Sequence, residues 1–258
     1  FGNRVFKCWK SGGHGYMDLY GGVVQSCDSY FYKVAEVLNV DELAQAAREF
    51  GIGAESGVDL PNEARGLVPD REYYNRRFGK GKWTQGLGLN NIIGQGEFLA
   101  TVLQLCRVSA AIANGGYLVQ PHVIGEVEGE PAREVYAKKK IRHLSDRMID
   151  FIRNAMLGVV WHENGTAKGS RIRGFKAAGK TGTSQNPHGE DHAWFIGYAP
   201  ADDPEIAIAI VVENAGHGGA VAAPMSREFY KTYFNLEPPD TVVTRSVAEE
   251  TRTEIEQE

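Results

Sequence analysis

Lys180-Thr181-Gly182-Thr183 puts a cation, two hydroxyls and a glycine on four consecutive positions. On a strand, the lysine offers a positive charge to a carboxylate and the hydroxyls add donors beside it. The glycine lets a ligand approach a backbone that a side chain would block. An exposed edge strand kept soluble by a lysine carries the same residues. Ser26-Cys27-Asp28 is a second candidate, and a Ser-x-Asp before a helical run is first of all an N-cap. The third candidate is Cys8, His14 and Cys27, spaced Cys-x5-His-x12-Cys with glycines on both sides of the histidine. Two soft thiolates and an imidazole suit tetrahedral zinc. Two isolated thiols and a loop histidine are the competing reading.

Other chemistry-bearing residues read as structural. Cys106 lies in the helical apolar pattern Leu103-Gln-Leu-Cys-Arg-Val-Ser-Ala-Ala and reads as a small buried hydrophobe. Three cysteines cannot all pair, which fits a free thiol or a metal better than a disulfide framework. His188 and His192 straddle a turn rather than share a helix face. The basic run around Lys138-Lys139-Lys140 is flanked by Glu130 and Glu134 and reads as a solvated loop.

The elements that must position these residues follow from periodicity. Phe31, Val34, Ala35 and Leu38, then Leu43, Ala46, Ala47 and Phe50, predict two helices broken at Asn39-Val40-Asp41. Gly51–Asn91 reads as extended surface structure, with Leu87-Gly88-Leu89 resembling a short strand. Gly94-Gln95-Gly96 opens a helix over Phe98–Ala113, which Asn114-Gly115-Gly116 closes. Tyr117–Val127 alternates toward strand, and Ser145 caps a helix over Arg147–Val160. Three strands then form a meander, from Phe175, from His192 and from Glu205, with turns at Asn186-Pro187-His188-Gly189 and Ala201-Asp202-Asp203-Pro204. A helix near Ala223–Phe234 completes one α+β domain. Residues 237–258 read as a disordered acidic tail.

Composition narrows the partners. The 258 residues are 42% hydrophobic and 24% charged with 31 glycines, ordinary for a globular chain and incompatible with collagen, a coiled coil or wholesale disorder. Net charge is -5, most of it in the tail, so the body presents no basic face for nucleic acid. No apolar run reaches membrane-spanning length, and Phe1-Gly-Asn-Arg opens no secretory segment. The chain reads as starting inside a longer gene, with any anchor upstream.

Ser26-Cys27-Asp28 and Lys180-Thr181-Gly182, about 150 residues apart and in this order, resemble the second and third motifs of the penicilloyl-serine transferases. Gly94-Gln95-Gly96, Thr101-Val-Leu-Gln104, Ala113-Asn-Gly-Gly116, Gly165-Thr166-Ala167, Ala193-Trp-Phe-Ile-Gly-Tyr-Ala-Pro200 and Gly218-Gly-Ala-Val-Ala-Ala-Pro224 also resemble class B penicillin-binding proteins. The Ser-Cys-Asp variant is most similar to the elongation type. The resemblance implies a serine β-lactamase-like α+β fold with a five-stranded antiparallel sheet flanked by helices, here over residues 1–236. It implies a peptidoglycan D,D-transpeptidase working through a serine acyl-enzyme, without a catalytic cofactor, at the periplasmic face of the inner membrane. Stem peptides, β-lactams and a membrane glycosyltransferase are the partners implied.

Carried over by position, Ser26 would shuttle protons, Asp28 would face the substrate peptide, and Lys180 would orient the substrate carboxylate. Thr181 and Thr183 would bind that carboxylate, and the Thr183 N–H would supply half of an oxyanion hole, commonly ~3–4 kcal/mol per donor. Some elongation-type members hold a structural zinc beside the second motif, and His14 and Cys27 match that pattern. Cys8 stands where another ligand would sit, and a fourth is unidentified. The sequence departs from the family in one respect: it contains no Ser-x-x-Lys. The nucleophile would therefore lie upstream, and the chain alone is expected to be inert. A D,D-carboxypeptidase, a β-lactam hydrolase, and a dead relative serving as a β-lactam sensor or scaffold are the alternatives.

Overall fold

The computed structural model describes residues 3, 5–84, 86–125, 128 and 138–236. Three helices follow the opening loop: α1 (Leu19–Val24), α2 (Asp28–Val37) and α3 (Val40–Glu49). The break between α2 and α3 falls where the sequence places it. Asn39 forms a capping box with Glu42, its side chain accepting the Asp41 and Glu42 N–H groups while Glu42 reaches back to the Asn39 N–H.

Two expectations for the next segment change. Leu87–Leu89 lies in a short helix, α5 (Gly86–Asn91), after α4 (Arg71–Phe78), so the apolar pair belongs to a helical turn and not a strand. Helix α6 runs over Val102–Ala113 and starts later than the glycines suggest, because Thr101 and Gln104 form the capping box that defines its first turn. The second strand-like segment is reduced to β1 (Tyr117–Val119), which pairs antiparallel with β2 (Lys138–Lys140). The basic triplet is thus a strand, while most of the flanking run lies outside the described residues.

Helix α7 (Asp146–Trp161) is capped by Ser145, whose hydroxyl accepts the Met148 N–H. The meander follows as β3 (Ala178–Ser184), β4 (His192–Ala199) and β5 (Ile206–Val212), antiparallel in that order, with Lys180 opposite Ile196 and Thr183 opposite Ala193. The fold is α+β as expected. Among the described residues, however, the main sheet has three strands and not five, because β1 and β2 pair only with each other. Helix α6 packs on β4 and β5, and α7 packs on β3 and α1. Ile112, Ala113, Met156, Ala178 and Tyr198 form the core between them. Ser109 pins α6 to the sheet by donating to the Gly197 carbonyl at 2.8 Å.

The chain divides into two compact units, residues 1–227 and 228–258. Helix α8 (Ala222–Tyr233) begins in the first. In the described part of the second unit, Phe229 stacks on Tyr233 with ring centroids 6.3 Å apart. The tail read at 237–258 lies outside the described residues. No helix of the described residues is long and apolar enough to cross a membrane.

Candidate active site

Strand β3 is an edge strand of the three-stranded sheet among the described residues. In an antiparallel ladder, alternate residues turn both N–H and C=O to the same side. The Thr183 carbonyl accepts from the Gln95 side chain and the Thr181 carbonyl from Lys180, so both residues direct their main-chain groups away from β4. The Thr183 N–H therefore faces the open edge, where an oxyanion donor would have to be.

Ser26 is brought to this edge by an uncommon turn. Helix α1 ends at Gln25, and Ser26 follows with φ 51°. The Cys27 N–H donates to the Gly22 carbonyl at 2.9 Å and the Ser26 N–H to the Val23 carbonyl at 3.2 Å. This is a Schellman ending with serine at the left-handed position that glycine usually takes. The expected N-cap reading is corrected here: Cys27 occupies the cap of α2 without a side-chain bond, and Ser26 stands one residue earlier. Trp9 braces the turn, its indole N–H shared between the carbonyls of Ser26 at 2.9 Å and Gln25 at 3.2 Å. Asp28 lies in the first turn of α2, and one carboxylate oxygen accepts the Trp9 N–H at 2.9 Å. That bond ties the first turn of α2 to the opening loop.

Lys180 crosses to Ser26. Its Nζ donates to Ser26 Oγ at 2.8 Å and to the carbonyl of Thr181 at 2.7 Å, joining residues 154 positions apart. Desolvation pulls the lysine down to about 8, with the negative charge of Asp28 working against the shift. A lysine poised near neutrality beside a hydroxyl can hold or pass a proton.

The two threonine hydroxyls have protein partners. Thr181 Oγ1 is 2.7 Å from Thr166 Oγ1, and Thr183 Oγ1 accepts the Gly218 N–H at 3.5 Å. Gly218 has no room for a side chain, since a Cβ there would lie 2.2 Å from the Trp194 carbonyl and 2.3 Å from that of Gly182. At Gly182 itself the crowding comes from β4, where a Cβ would sit 3.1 Å from the Cβ of Trp194. Gln95 lies at the end of the strand. Its Nε2 donates to the Thr183 carbonyl at 2.9 Å, and its Oε1 accepts the Gln185 N–H at 3.4 Å.

Residues 1–231 match the family described as the penicillin binding protein transpeptidase domain. The chain belongs to the penicillin-binding protein transpeptidase family. Among its relatives is the peptidoglycan D,D-transpeptidase MrdA of Acinetobacter baumannii, 39% identical over 244 residues, which covers 85% of this chain and 35% of that protein. The Haemophilus influenzae MrdA is 33% identical over 255 residues, 92% of this chain and 39% of the relative. A solved penicillin-binding protein 2 from Helicobacter pylori superposes with a TM-score of 0.78 at 35% identity, over 90% of this chain and 43% of that one. The Pseudomonas aeruginosa penicillin-binding protein 2 in complex with WCK 5153 gives 0.80 at 33%, over 90% and 52%. The chain thus spans about two fifths of the curated relatives it matches.

Within this transpeptidase domain the structure brings Ser26, Lys180, Thr181 and Thr183 together. It gathers Cys8, His14 and Cys27 separately, with their ligand atoms all within 4.8 Å of one another. Cys8 Sγ is 3.4 Å from His14 Nδ1, while His14 Nε2 is buried without a partner. Burial is the largest influence on both His14, held below its ordinary value, and Cys27, pushed up. A neutral imidazole and two thiols that cation binding would deprotonate fit a zinc ion. No fourth ligand joins them among the described residues. Cys106, read as a buried hydrophobe, is only half-buried, and its thiol donates to the Ala207 carbonyl at 3.5 Å. His192 Nδ1 accepts the Asn214 N–H at 3.0 Å, and among the described residues it joins no cluster of metal-ligating side chains.

Trp9, Gln95, Thr166 and Gly218 were not singled out for a role by sequence. Three of them stand in strings that resemble the transpeptidases, but a resemblance alone gives no partner. Trp9 left no signal, standing in an irregular opening loop without periodicity.

Proposed function

We propose that this chain is the larger, C-terminal part of the transpeptidase domain of an elongation-type peptidoglycan D,D-transpeptidase, over residues 1–236. The observation that carries the reading is the 2.8 Å contact of Lys180 Nζ with Ser26 Oγ beside the open Thr183 N–H. A serine from residues outside this chain attacks the penultimate D-Ala carbonyl of a stem peptide. The carbonyl oxygen gains charge against the Thr183 N–H, the C–N bond breaks, and D-Ala leaves with a proton delivered through Ser26. The amine of a neighbouring stem then attacks the acyl-enzyme ester, gives up its proton by the same route and frees the serine. Lys180, Thr181 and Thr183 hold the substrate carboxylate, by charge and by hydroxyl donation. Asp28 holds the Ser26 turn through Trp9 and lends negative charge near Lys180.

No cofactor enters this chemistry. A structural zinc held by Cys8, His14 and Cys27 would tie the opening loop to the Ser26-Cys27-Asp28 turn. The setting is the periplasmic face of the inner membrane, with the anchor outside this chain. One solved relative is a complex of penicillin-binding protein 2 with MreC, and another is a peptidoglycan synthase complex coordinating polymerization and crosslinking. These support a membrane glycosyltransferase as partner, and membership of the penicillin binding protein family supports β-lactams as ligands of the same site.

The test is intact mass after incubation with a penicillin. The full-length protein gains one adduct, and the 258-residue chain alone gains none. A full-length protein that stays at its own mass overturns the reading in favour of a scaffold. Release of D-Ala to water with no cross-link in the presence of an acceptor stem makes it a carboxypeptidase instead.

A further inference from the structure

Gln95 belongs to a string whose resemblance came without a role, and its carboxamide occupies the part of β3 that the chemistry depends on. An incoming strand would ordinarily meet the edge with one donor and one acceptor. Gln95 presents that pair from a single side chain: Nε2–H to the Thr183 carbonyl and Oε1 to the Gln185 N–H. We propose that Gln95 is a positioning residue that fixes the Thr183–Ser184 peptide plane and, through the backbone of residue 183, the direction of the Thr183 N–H toward the developing oxyanion.

Three features support the assignment. The residue is held before it reaches the strand: its own N–H donates to the Asn90 carbonyl at 3.0 Å, and the Gly94 N–H donates to Asn91 at 2.9 Å. Gly94 and Gly96 have φ 75° and 80°, a left-handed conformation on both sides that turns the intervening side chain toward β3. The neighbouring Asn91 is itself anchored, donating to the buried Tyr74 hydroxyl at 2.8 Å. A side chain on so fixed a base transmits position and not merely bulk. The bonds it makes lie on the carbonyl of the residue whose N–H does the chemistry and on the N–H two residues beyond. Without them the Thr183 end of the free edge is restrained by β4 and by the Gly218 N–H on the Thr183 hydroxyl, neither of which holds the Thr183 carbonyl.

The inference rests on the transpeptidase reading, and the experiment separates the two. In full-length protein, the rate of acylation by a fluorescent penicillin is measured from pH 4.5 to 8 for wild type, Gln95→Ala and Gln95→Glu, alongside their melting temperatures. Glutamate is isosteric with glutamine, and when protonated it can still donate to the Thr183 carbonyl and accept from the Gln185 N–H. When ionised it sets an oxygen against the carbonyl. At pH 8 both variants should acylate roughly 10- to 100-fold more slowly than wild type, the scale of a misplacement of about 1 Å. As pH falls through the carboxyl range, the ratio of Gln95→Glu to wild type should recover, while that of Gln95→Ala stays flat. A structural role would move melting temperature without this pH-dependent rescue. Wild-type acylation with Gln95→Glu matching it at every pH, or parallel flat losses in both variants, overturns the role of Gln95. Failure of the wild type to acylate overturns the transpeptidase reading and the role with it.

Discussion

Ser26 gives a prediction in which stability and activity part company. Its φ of 51° is left-handed, a conformation that costs a residue with a Cβ ~1–2 kcal/mol and costs glycine nothing. Ser26→Ala and Ser26→Gly both lose the hydroxyl and with it the 2.8 Å bond from Lys180. Their difference therefore isolates the backbone. Glycine recovers the left-handed strain but gives back about 0.5–1 kcal/mol through the freedom of its unfolded chain. The balance leaves Ser26→Gly more stable than Ser26→Ala by roughly 0.5–1 kcal/mol, the reverse of the order in a helix or strand interior. With a urea dependence of about 1–3 kcal/mol per molar, the midpoints should differ by roughly 0.2–1 M in the transition of this domain, measured on the full-length protein. Penicillin acylation should fall by about 10²–10⁴-fold in both variants, the usual contribution of a positioned proton carrier. An alanine variant as stable as the glycine variant would refute the Schellman account of the turn. Undiminished acylation in both would remove Ser26 from the chemistry.

Thr166→Val deletes the 2.7 Å partner of the Thr181 hydroxyl; it should cost about 0.5–1.5 kcal/mol and slow acylation more than that loss of stability explains, by stopped-flow with a reporter β-lactam. Lys180 titrates at about 8 in the fold against 10.5 when unperturbed, so below pH 8 it is charged in both states and its desolvation opposes folding. Between pH 8 and 10.5 the folded form is neutral while the unfolded form stays charged; stability relative to Lys180→Met should rise across that window, and a flat difference would refute the shift. Metal analysis of the purified protein should find close to one zinc per chain, lost in Cys8→Ser and Cys27→Ser and on chelation with a lowered melting temperature; a metal-free wild type with normal stability would dismiss the site.

The features legible in the sequence were those with local causes. The Asn39 and Ser145 caps, the meander turns and the helical period of α7 are set within a few residues of chain, and the structure places them accordingly. Gly86–Asn91 misled because the alternation Gly86-Leu87-Gly88-Leu89 satisfies a strand pattern as well as a helical turn. The glycines at 94 and 96 resembled the start of a helix, but they serve the side chain between them. The strand count of the sheet came from resemblance and not from periodicity. Ser26 and Lys180 were legible as separate motifs, yet the bond between them spans 154 positions and follows from topology alone. Separations of 15 to 19 positions were enough to conceal Trp9 and Thr166, whose partners could not be read from their own neighbourhoods.

The open side of β3 also controls how a peptide can add to the sheet. Side chains alternate faces along a strand, so an added strand that slips by one residue presents the wrong face, and one that slips by two stays in phase but is displaced by roughly 6.8 Å. The in-phase error is the harder one to reject, because its side chains still fit. Here the next N–H along, that of Gln185, is already bonded to Gln95, and the next carbonyl back, that of Thr181, is bonded to Lys180. The Thr181 and Thr183 N–H groups share that edge, and the carbonyls of both residues are already held, by Lys180 and by Gln95. An unprotected edge of this length would accept many registers and invite sticking between molecules; this one has three outward main-chain groups between residues 181 and 185 already bonded, which leaves fewer registers open to an incoming chain.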